Sequence, residues 1–251
     1  MIIKALTGVL LAYSTAFALS HYEVAKKSED VMSGFKDSIA QMQMTLINAA
    51  GQKKTRTMKM QVLEGEVEDK SLMEFLTPAD VKGTKFLSYE HVDKDDDQWL
   101  YLPALKRVKR IASKNKSGSF MGSEFSYEDL SAFNVKKYIY EEGEAKSMTL
   151  DGRVIYKSSS KPLSKYSGYT KLISYIDAKT FLIQKIEYYD RKNELLKVST
   201  FDAYKKYGSL YRIGKITMKN LQNDKSTILV WSNETINNGL KEKDFHKRYL
   251  K

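Results

Sequence analysis

The strongest constraint on the fold of this chain is an alternation of apolar and polar residues with a period of two, which begins near Asp37. Successive side chains of a β-strand point to opposite faces, so this period predicts strands with one buried face. The residues that share one face are Ala40, Met42, Met44 and Leu46 in "SIAQMQMTLIN", and Met58, Met60 and Val62 in "KTRTMKMQVLEG". A turn at Gly51-Gln52 would join these two runs, so we predict an antiparallel hairpin.

Similar β-prone runs continue along the chain, and we count about a dozen of them, separated by turn residues. Residues 177–180 and 190–193 have the composition of hairpin connections. Helices are few: one is predicted to begin at Ser28, and another, at the end of the chain, would place Phe245 and Tyr249 on one face. We therefore predict one continuous, mainly β domain with few helices.

The first eighteen residues differ from the rest of the chain. Lys4 is followed by an uncharged run, and Ala16-Phe17-Ala18 has the small-x-small pattern that signal peptidase accepts. The run is shorter than the roughly 20 residues of a membrane-spanning helix. We predict a signal peptide, residues 1–18, cleaved after Ala18, with cleavage after Ser20 as a second possibility and an N-terminal anchor or a buried first helix as the alternative. The mature chain, residues 19–251, would then be exported.

The chain contains no cysteine, which excludes disulfides, thiolate zinc sites, thiol catalysis and a lipid anchor on cysteine. An exported chain without disulfides depends on its core alone, which favours a sizeable sheet. The formal net charge is +11. In an exported protein this charge favours anionic lipid headgroups, the envelope surface or an acidic partner, and disfavours nucleic acid.

The sequence lacks the common catalytic and metal-binding motifs. The acidic turn "DKDDD" has the spacing of a calcium loop, but Gln98 and Ala104 stand where that loop needs glycine and glutamate. Glu124, Glu128 and Asp129 are candidates for a hydrolytic carboxylate pair, yet no nucleophile and base can be paired from the sequence. We therefore predict no enzymatic activity, no metal site and no cofactor.

The stretch "WLYLPALKRVKRIA" places apolar residues directly beside cations. In a strand, Trp99 and Tyr101 would lie on one face and Leu100 and Leu102 on the other. Both faces are apolar, so we expect this strand to be covered on both sides. Pro103 ends the strand, and the cations follow on the return strand.

Four segments resemble the LolA-like outer-membrane lipoprotein-sorting proteins: "FLTPADVKGTKFL", "WLYLPALKRVKRIASKNKSGSFMGSEFSYEDL", "IDAKTFLIQKIEYYD" and "FHKRYL". They span nearly all of the mature chain in order, and the second is long and specific. Two positions depart from the family pattern: Glu124 stands where aspartate is expected, and Ile213-Gly214 where proline is expected. These departures leave open the branch of the family and therefore the cargo.

The resemblance implies a single, strongly curved antiparallel sheet, an incomplete β-barrel whose open side is covered by helices and a loop. It implies a periplasmic protein, not an enzyme, that shields the acyl chains of a lipoprotein or lipid for transfer between envelope membranes. The expected partner is an inner-membrane transporter or an outer-membrane acceptor, and we expect a monomer. Relatives in the wider superfamily sense lipidated ligands, and many of this branch accompany resistance-nodulation-division exporters. The alternative is therefore an accessory or sensing partner of such an exporter, or of an envelope-stress regulator, with no transport role of its own.

Three sets of residues follow from the half-barrel expectation. The residues expected to line a hydrophobic acyl-chain cavity are Met42, Met44, Leu46, Met58, Met60, Met73, Phe75, Trp99 and Tyr101. The residues expected to form a lid or plug, within residues 117–130, are Phe120, Met121, Phe125 and Tyr127. The residues expected to form a basic rim for a headgroup or partner are Lys106, Arg107, Lys109 and Arg110.

The cavity set and the basic rim also fit simpler interpretations. Methionine is flexible and polarizable, which suits a surface that accepts acyl chains of variable shape, but a stripe of methionine and aromatic residues is also typical of an ordinary core. A run of cations is likewise typical of a solvated edge strand that resists aggregation.

Overall fold

The computed structural model describes residues 19–65 and 68–251, so the predicted signal peptide lies outside the described residues. Within them the chain is mainly β, as predicted, and contains one α-helix, α1, at His21–Asp30. The strands are β1 Asp37–Ile47, β2 Lys53–Leu63, β3 Asp69–Thr77, β4 Lys85–Glu90, β5 Asp97–Leu102, β6 Arg107–Ile111, β7 Tyr138–Tyr140, β8 Lys146–Leu150, β9 Arg153–Pro162, β10 Tyr169–Asp177, β11 Ile183–Asp190, β12 Leu195–Asp202, β13 Lys205–Tyr207, β14 Leu210–Arg212, β15 Lys215–Asn220 and β16 Ser226–Ile236. Short 3₁₀ helices lie at Pro103–Leu105, Ser113–Asn115, Tyr127–Leu130, Val135–Lys137, Glu242–Phe245 and Lys247–Leu250.

Helix α1 begins before the position predicted from the sequence. Ser20 caps it: the Ser20 hydroxyl accepts a hydrogen bond from the Glu23 N–H, and the Glu23 carboxylate accepts one from the Ser20 N–H at 2.8 Å. This reciprocal capping box is a stronger start signal than a single serine. Ser28, the predicted first residue, lies buried inside the helix, so the predicted start was wrong.

Fourteen strands form one antiparallel sheet that does not close, which confirms the predicted open sheet. At its centre β1 pairs with β16. From there the sheet runs in one direction through β2, β3, β4 and β5 to β6, and in the other through β15, β12, β11, β10 and β9 to β7 and β8. The free edges are therefore β6 at one end and β7 with β8 at the other, while β13 and β14 form a separate hairpin.

The side chains on one face of this sheet converge in a single apolar cluster. It contains Leu100 of β5, Met42 of β1, Leu229 of β16 and Ile186 of β11, which come from strands well separated across the sheet. Neighbouring strands lie about 4.8 Å apart, so the outer members of this set would be tens of ångströms apart in a flat sheet. The sheet therefore curves around this face, which is the inside of an open half-barrel.

The connection from β6 to β7 crosses the open side of the half-barrel, because these two strands lie at opposite edges of the sheet. This connection, residues 112–137, contains the segment that the sequence analysis singled out as a lid or plug. We call residues 117–130 the plug. The strand order thus places the plug over the open side of the half-barrel, and the connection that carries it contains only short 3₁₀ helices.

The C-terminal segment covers the outer face of the first half of the sheet. Phe245 and Leu250 are buried there, whereas Tyr249 is exposed. The predicted helix with Phe245 and Tyr249 on one face was wrong, because the segment forms two separate 3₁₀ turns with about three residues per turn. No helix within residues 19–65 and 68–251 is long and apolar enough to cross a membrane.

Candidate functional site

A cavity of about 590 Å³ lies on the inner face of the half-barrel. Its apolar walls come from strands in both halves of the sheet: Met42, Met60, Val62, Met73, Leu172, Ile183, Ile186, Phe201, Ile216, Leu229 and Trp231. Cavities of about 300–1,000 Å³ with mostly apolar walls are typical of small-molecule sites. The curved sheet therefore leaves a hollow with apolar walls that is large enough for an apolar ligand.

The period of two explains how the strands supply these walls. On β10, Leu172, Ser174 and Ile176 share the inner face, and Ser174 lies directly opposite Ile186 of β11. Because the alternation continues from strand to strand, each strand turns one apolar row toward the hollow. Ser174 is a small polar residue in this row and leaves open space beside Ile186.

The plug packs its aromatic residues into one end of the hollow. Phe120 is fully buried, and its ring lies 6.0 Å from that of Phe75, 5.1 Å from that of Phe86 and 5.6 Å from that of Tyr127, measured between centroids. Phe125 is also buried and lines the remaining cavity. The plug thus fills part of the half-barrel and forms one wall of the space left beside it.

Two strands that flank β1 at the centre of the sheet, β2 and β16, hold the plug by its backbone. Arg56 of β2 donates from Nη1 to the Met121 carbonyl at 2.6 Å, and its guanidinium is buried. Thr227 of β16 accepts a hydrogen bond at its hydroxyl from the Glu124 N–H at 3.0 Å. These bonds fasten the tip of the plug to two separate strands of the wall.

A buried ion pair holds the base of the plug. Lys197 of β12 donates to Asp129 at 2.6 Å and to the Glu124 carbonyl at 2.9 Å. The Tyr169 hydroxyl donates to the other carboxylate oxygen of Asp129 at 2.7 Å, and burial raises the pKa of Tyr169. Both charges are therefore satisfied by hydrogen bonds inside an apolar region.

Carboxylates outnumber cations around the cavity. The acidic lining residues are Glu29, Glu64, Asp69, Glu90, Asp93, Asp95, Asp96, Glu128, Asp129 and Glu234, and the basic ones are Lys94, Lys116, Lys137, Lys165 and Arg212. Several of these carboxylates hold loops at the mouth. Glu128 accepts from the Gly168 N–H, and Glu29 and Glu90 accept from N–H groups of residues 131–137. The acidic side chains thus shape the mouth of the hollow.

Glu90 is the most perturbed of these groups. It is buried, and its carboxylate accepts one hydrogen bond, from the Ala132 N–H at 2.7 Å. Burial raises the pKa of Glu90 to about 8, although the Lys137 ammonium acts in the opposite direction. Within the residues that the structure describes, no cluster of three or more histidine, aspartate and glutamate side chains is arranged to hold a metal ion.

Comparisons with known proteins identify the family. A family model described as "Uncharacterized protein" matches residues 67–251. A solved domain from Vibrio parahaemolyticus, provisionally described as an outer membrane lipoprotein-sorting protein domain, is 45% identical with a TM-score of 0.87, over 91% of this chain and 97% of its own. This chain belongs to the LolA-like lipoprotein-sorting family.

Two further solved structures are similar to this LolA-like protein. A DUF1329 family protein from Desulfovibrio piger is 29% identical with a TM-score of 0.85, over 92% of this chain and 98% of its own. A LolA superfamily protein from Nitrosomonas europaea is 17% identical with a TM-score of 0.74, over 92% of this chain and 100% of its own, which shows the fold alone. No curated protein matches the sequence.

The structure separates the predicted cavity residues of this LolA-like chain into three groups. Met42, Met60 and Met73 line the cavity. Met44, Met58 and Phe75 are fully buried in the inner cluster beneath the plug, with Leu46 partly buried beside them. Trp99 and Tyr101 lie on the opposite, outer face and pack against Phe245 and Leu250 of the C-terminal segment. The inner face of β5 is instead supplied by Leu100 and Leu102.

The four cations of the predicted basic rim lie away from the cavity. Lys106, Arg107, Lys109 and Arg110 are exposed on or beside the edge strand β6, and none of them lines the hollow. Arg110 pairs with Asp97. The cations at the mouth of the hollow come from elsewhere in the chain. They are Arg212 of β14 and four lysines that lie outside the strands, Lys94, Lys116, Lys137 and Lys165.

The wall formed by β10, β11, β12 and β16 was not predicted from the sequence. Leu172, Ile186, Phe201, Leu229 and Trp231 lie on the inner face, and alternation was visible in each of their strands. Period two divides a strand into two faces, but it does not indicate which face turns inward. Assigning these residues to the hollow required the curvature of the sheet.

Proposed function

We propose that this LolA-like protein is a periplasmic carrier, and not an enzyme, that shields the acyl chains of a lipoprotein or lipid during transfer between envelope membranes. The observation that supports the proposal most strongly is the apolar cavity of about 590 Å³ inside the half-barrel. The relative from Vibrio parahaemolyticus, described in terms of lipoprotein sorting, supports the same class of cargo. Residues 1–18 would direct export, and residues 19–251 would form the mature half-barrel domain.

Acyl burial would supply most of the binding free energy. Burying one methylene group contributes about 0.8 kcal/mol, so a dozen methylenes contribute on the order of 10 kcal/mol before the costs of binding. An exposed ion pair contributes only about 0–1 kcal/mol. Methionine side chains at Met42, Met60 and Met73 would adapt to chains of different shape. Charged groups at the mouth would orient the cargo.

The plug would open and close access to the deeper part of the hollow. Phe120 occupies that part and covers Met44, Met58 and Phe75. Moving Phe120 outward would break the hydrogen bond from Arg56 to the Met121 carbonyl and extend the cavity along β1 and β2. A cargo chain would then replace the aromatic contacts of the plug with contacts of its own.

Native mass spectrometry of the protein purified from its own envelope tests this proposal. We expect a bound lipid or lipid-modified species, and we expect the purified protein to move a labelled acyl lipid between vesicles. A lipid-free protein that binds no acyl probe would contradict the proposal. Tight binding without transfer would instead favour the accessory or sensing role beside an exporter or regulator.

A further inference from the structure

The two halves of the sheet differ on their outer faces. The C-terminal segment packs over β4 and β5, whereas the outer face of β8 to β11 carries an apolar cluster of Ile155, Ile173 and Tyr175. In the described part of the chain, the one partly buried apolar residue packed against this cluster is Tyr189. Lysine side chains lie over its aromatic rings.

Cross-strand pairing places these lysines in rows across the sheet. Lys146 of β8, Lys157 of β9, Tyr175 of β10 and Lys185 of β11 lie opposite one another in adjacent strands. The ammonium groups of Lys185 and Lys157 lie 3.9 Å and 5.9 Å from the centroid of the Tyr175 ring. A similar contact lies two rows away, beyond the row of Ile173, where the Lys171 ammonium is 4.0 Å from the centroid of the Tyr189 ring.

This face is strongly basic. It carries Lys146, Arg153, Lys157, Lys161, Lys171 and Lys185, and we call these six residues the outer basic face. Two carboxylates share it, and both have local partners. Glu187 is paired with Lys185 at 2.8 Å, and Asp177 accepts hydrogen bonds from the turn at Lys179 and Thr180. The remaining positive charge faces solvent.

Exposed apolar side chains border the outer basic face. Met148 and Leu150 of β8 are each 41% exposed, and Ile139 of β7 is 55% exposed. Cross-strand pairing puts Met148 beside Ile155 and Ile139 beside Lys161, so all of these side chains lie on the outer face. The face therefore combines cations, tyrosine rings and exposed aliphatic groups, a composition suited to the boundary between headgroups and acyl chains.

We propose that the outer basic face binds the surface of a bilayer that contains anionic lipids. The lysines are spread over four neighbouring strands, which span roughly 15 Å, instead of being gathered around a groove. Lysine is a compact, strongly hydrated point charge that attracts dispersed anionic headgroups without demanding one geometry. A groove lined by these cations would favour an acidic protein partner, but the cations stand on strands along the convex, outer face of the curved sheet.

This placement would bring the cavity close to a membrane. Leu163 and Lys165 follow directly after β9 and line the cavity, while Lys161 of the same strand belongs to the outer basic face. Docking would therefore hold that side of the mouth near the lipid surface. Docking through the outer basic face would not depend on what the cavity holds.

Vesicle flotation tests the inference, with phosphatidylcholine vesicles that contain or lack phosphatidylglycerol. We expect the protein to bind only the vesicles with phosphatidylglycerol, and less tightly at high salt. The triple variant Lys146→Gln/Lys157→Gln/Lys171→Gln should bind those vesicles roughly a hundredfold more weakly. Its cavity is untouched, so its affinity for a fluorescent acyl probe should not change.

The edge strand supplies a control with the same change in net charge. Lys106→Gln/Arg107→Gln/Lys109→Gln removes three exposed cations from the opposite edge of the sheet. We expect this variant to retain most of its affinity for the anionic vesicles and to unfold at the same temperature as the parent protein. Equal losses in both triple variants would assign the effect to net charge and overturn the inference. Absence of binding by the parent protein would overturn it as well.

Discussion

The Lys197 ammonium lies 2.6 Å from a carboxylate oxygen of Asp129, and each of the two side chains is only 5% exposed. Lys197 belongs to the wall strand β12, whereas Asp129 belongs to the plug. Residues far apart in the sequence thus fasten the plug to the inside of the half-barrel. The tyrosine hydroxyl of Tyr169 and the Glu124 carbonyl complete the hydrogen bonding of this pair.

Removing one partner of this pair should strongly destabilise the protein. Lys197→Met leaves the Asp129 carboxylate buried without its counterion, so we expect the free energy of unfolding to fall by about 3–5 kcal/mol. Urea denaturation measures this change. Lys215→Met is the matched control, because Lys215 and Asp202 are exposed and 3.9 Å apart, and it should cost only about 0–1 kcal/mol. Similar losses in the two variants would contradict the proposed role of the buried pair.

Glu90 should make stability depend on pH. Its pKa is raised by burial to about 8 in the folded protein, against an ordinary value of 4.5. The folded state therefore retains a proton that the unfolded chain has already lost. The contribution to stability is complete below about pH 4.5 and is lost as the pH rises through about 8.

The variant Glu90→Gln tests this pH dependence. Glutamine keeps an oxygen that can accept from the Ala132 N–H but cannot ionise. We expect the fall in unfolding temperature between about pH 5 and about pH 8 to be clearly smaller in this variant than in the parent. Glu142→Gln, at an exposed site, should leave the fall unchanged. An identical fall in all three proteins would mean that Glu90 does not titrate in this range.

Filling the cavity should block acyl binding without unfolding the protein. In Ser174→Phe, the new ring would enter the open space beside Ile186. We expect the affinity for a fluorescent fatty-acyl probe to fall roughly tenfold or more, an effect of about 1.4 kcal/mol. Thr200→Phe places the same ring on the outer face of β12 and should leave binding unchanged. Unimpaired binding by Ser174→Phe would locate the acyl site elsewhere.

Proline is expected near the start of β15, where this chain has Ile213-Gly214, and the structure supplies a reason for glycine at position 214. A Cβ atom at Gly214 would lie 2.1 Å from the Ala203 carbonyl oxygen, which is backbone and cannot move aside easily. We expect Gly214→Ala to lower the free energy of unfolding by about 1–3 kcal/mol. Gly118→Ala, whose Cβ would come no closer than 3.1 Å to another atom, should have a smaller effect in the same denaturation experiment.

The sequence allowed the local parts of the fold to be predicted. Alternation identified the β1–β2 hairpin, in which Met42 lies opposite Met58, and the turn residues at 177–180 and 190–193 join strands as expected. These features depend on neighbouring residues alone. The resemblance to the LolA-like family supplied the curvature, which the strand pattern by itself does not specify.

The sequence did not indicate which face of β5 turns inward. Both faces of "WLYL" are apolar, and the side of Trp99 and Tyr101 is decided by Phe245 and Leu250, which lie far away in the chain. The buried pair of Lys197 and Asp129 was hidden for the same reason, because its partners meet only after the plug has crossed the hollow. Alternation therefore predicts which side chains share a face of a strand. Which segment packs on that face depends on residues that are distant in the sequence.

The two tryptophans of the chain offer the most direct test of acyl binding in the cavity. Trp231 lines the cavity, whereas Trp99 packs on the outer face beneath the C-terminal segment. The variant Trp99→Phe leaves Trp231 as the reporter, and titration with a fatty acid brominated along its chain measures contact, because bromine quenches indole fluorescence at short range. We predict saturable quenching in Trp99→Phe and none in Trp231→Phe. Equal quenching of the two variants, or no quenching of Trp231, would contradict an acyl chain inside the half-barrel.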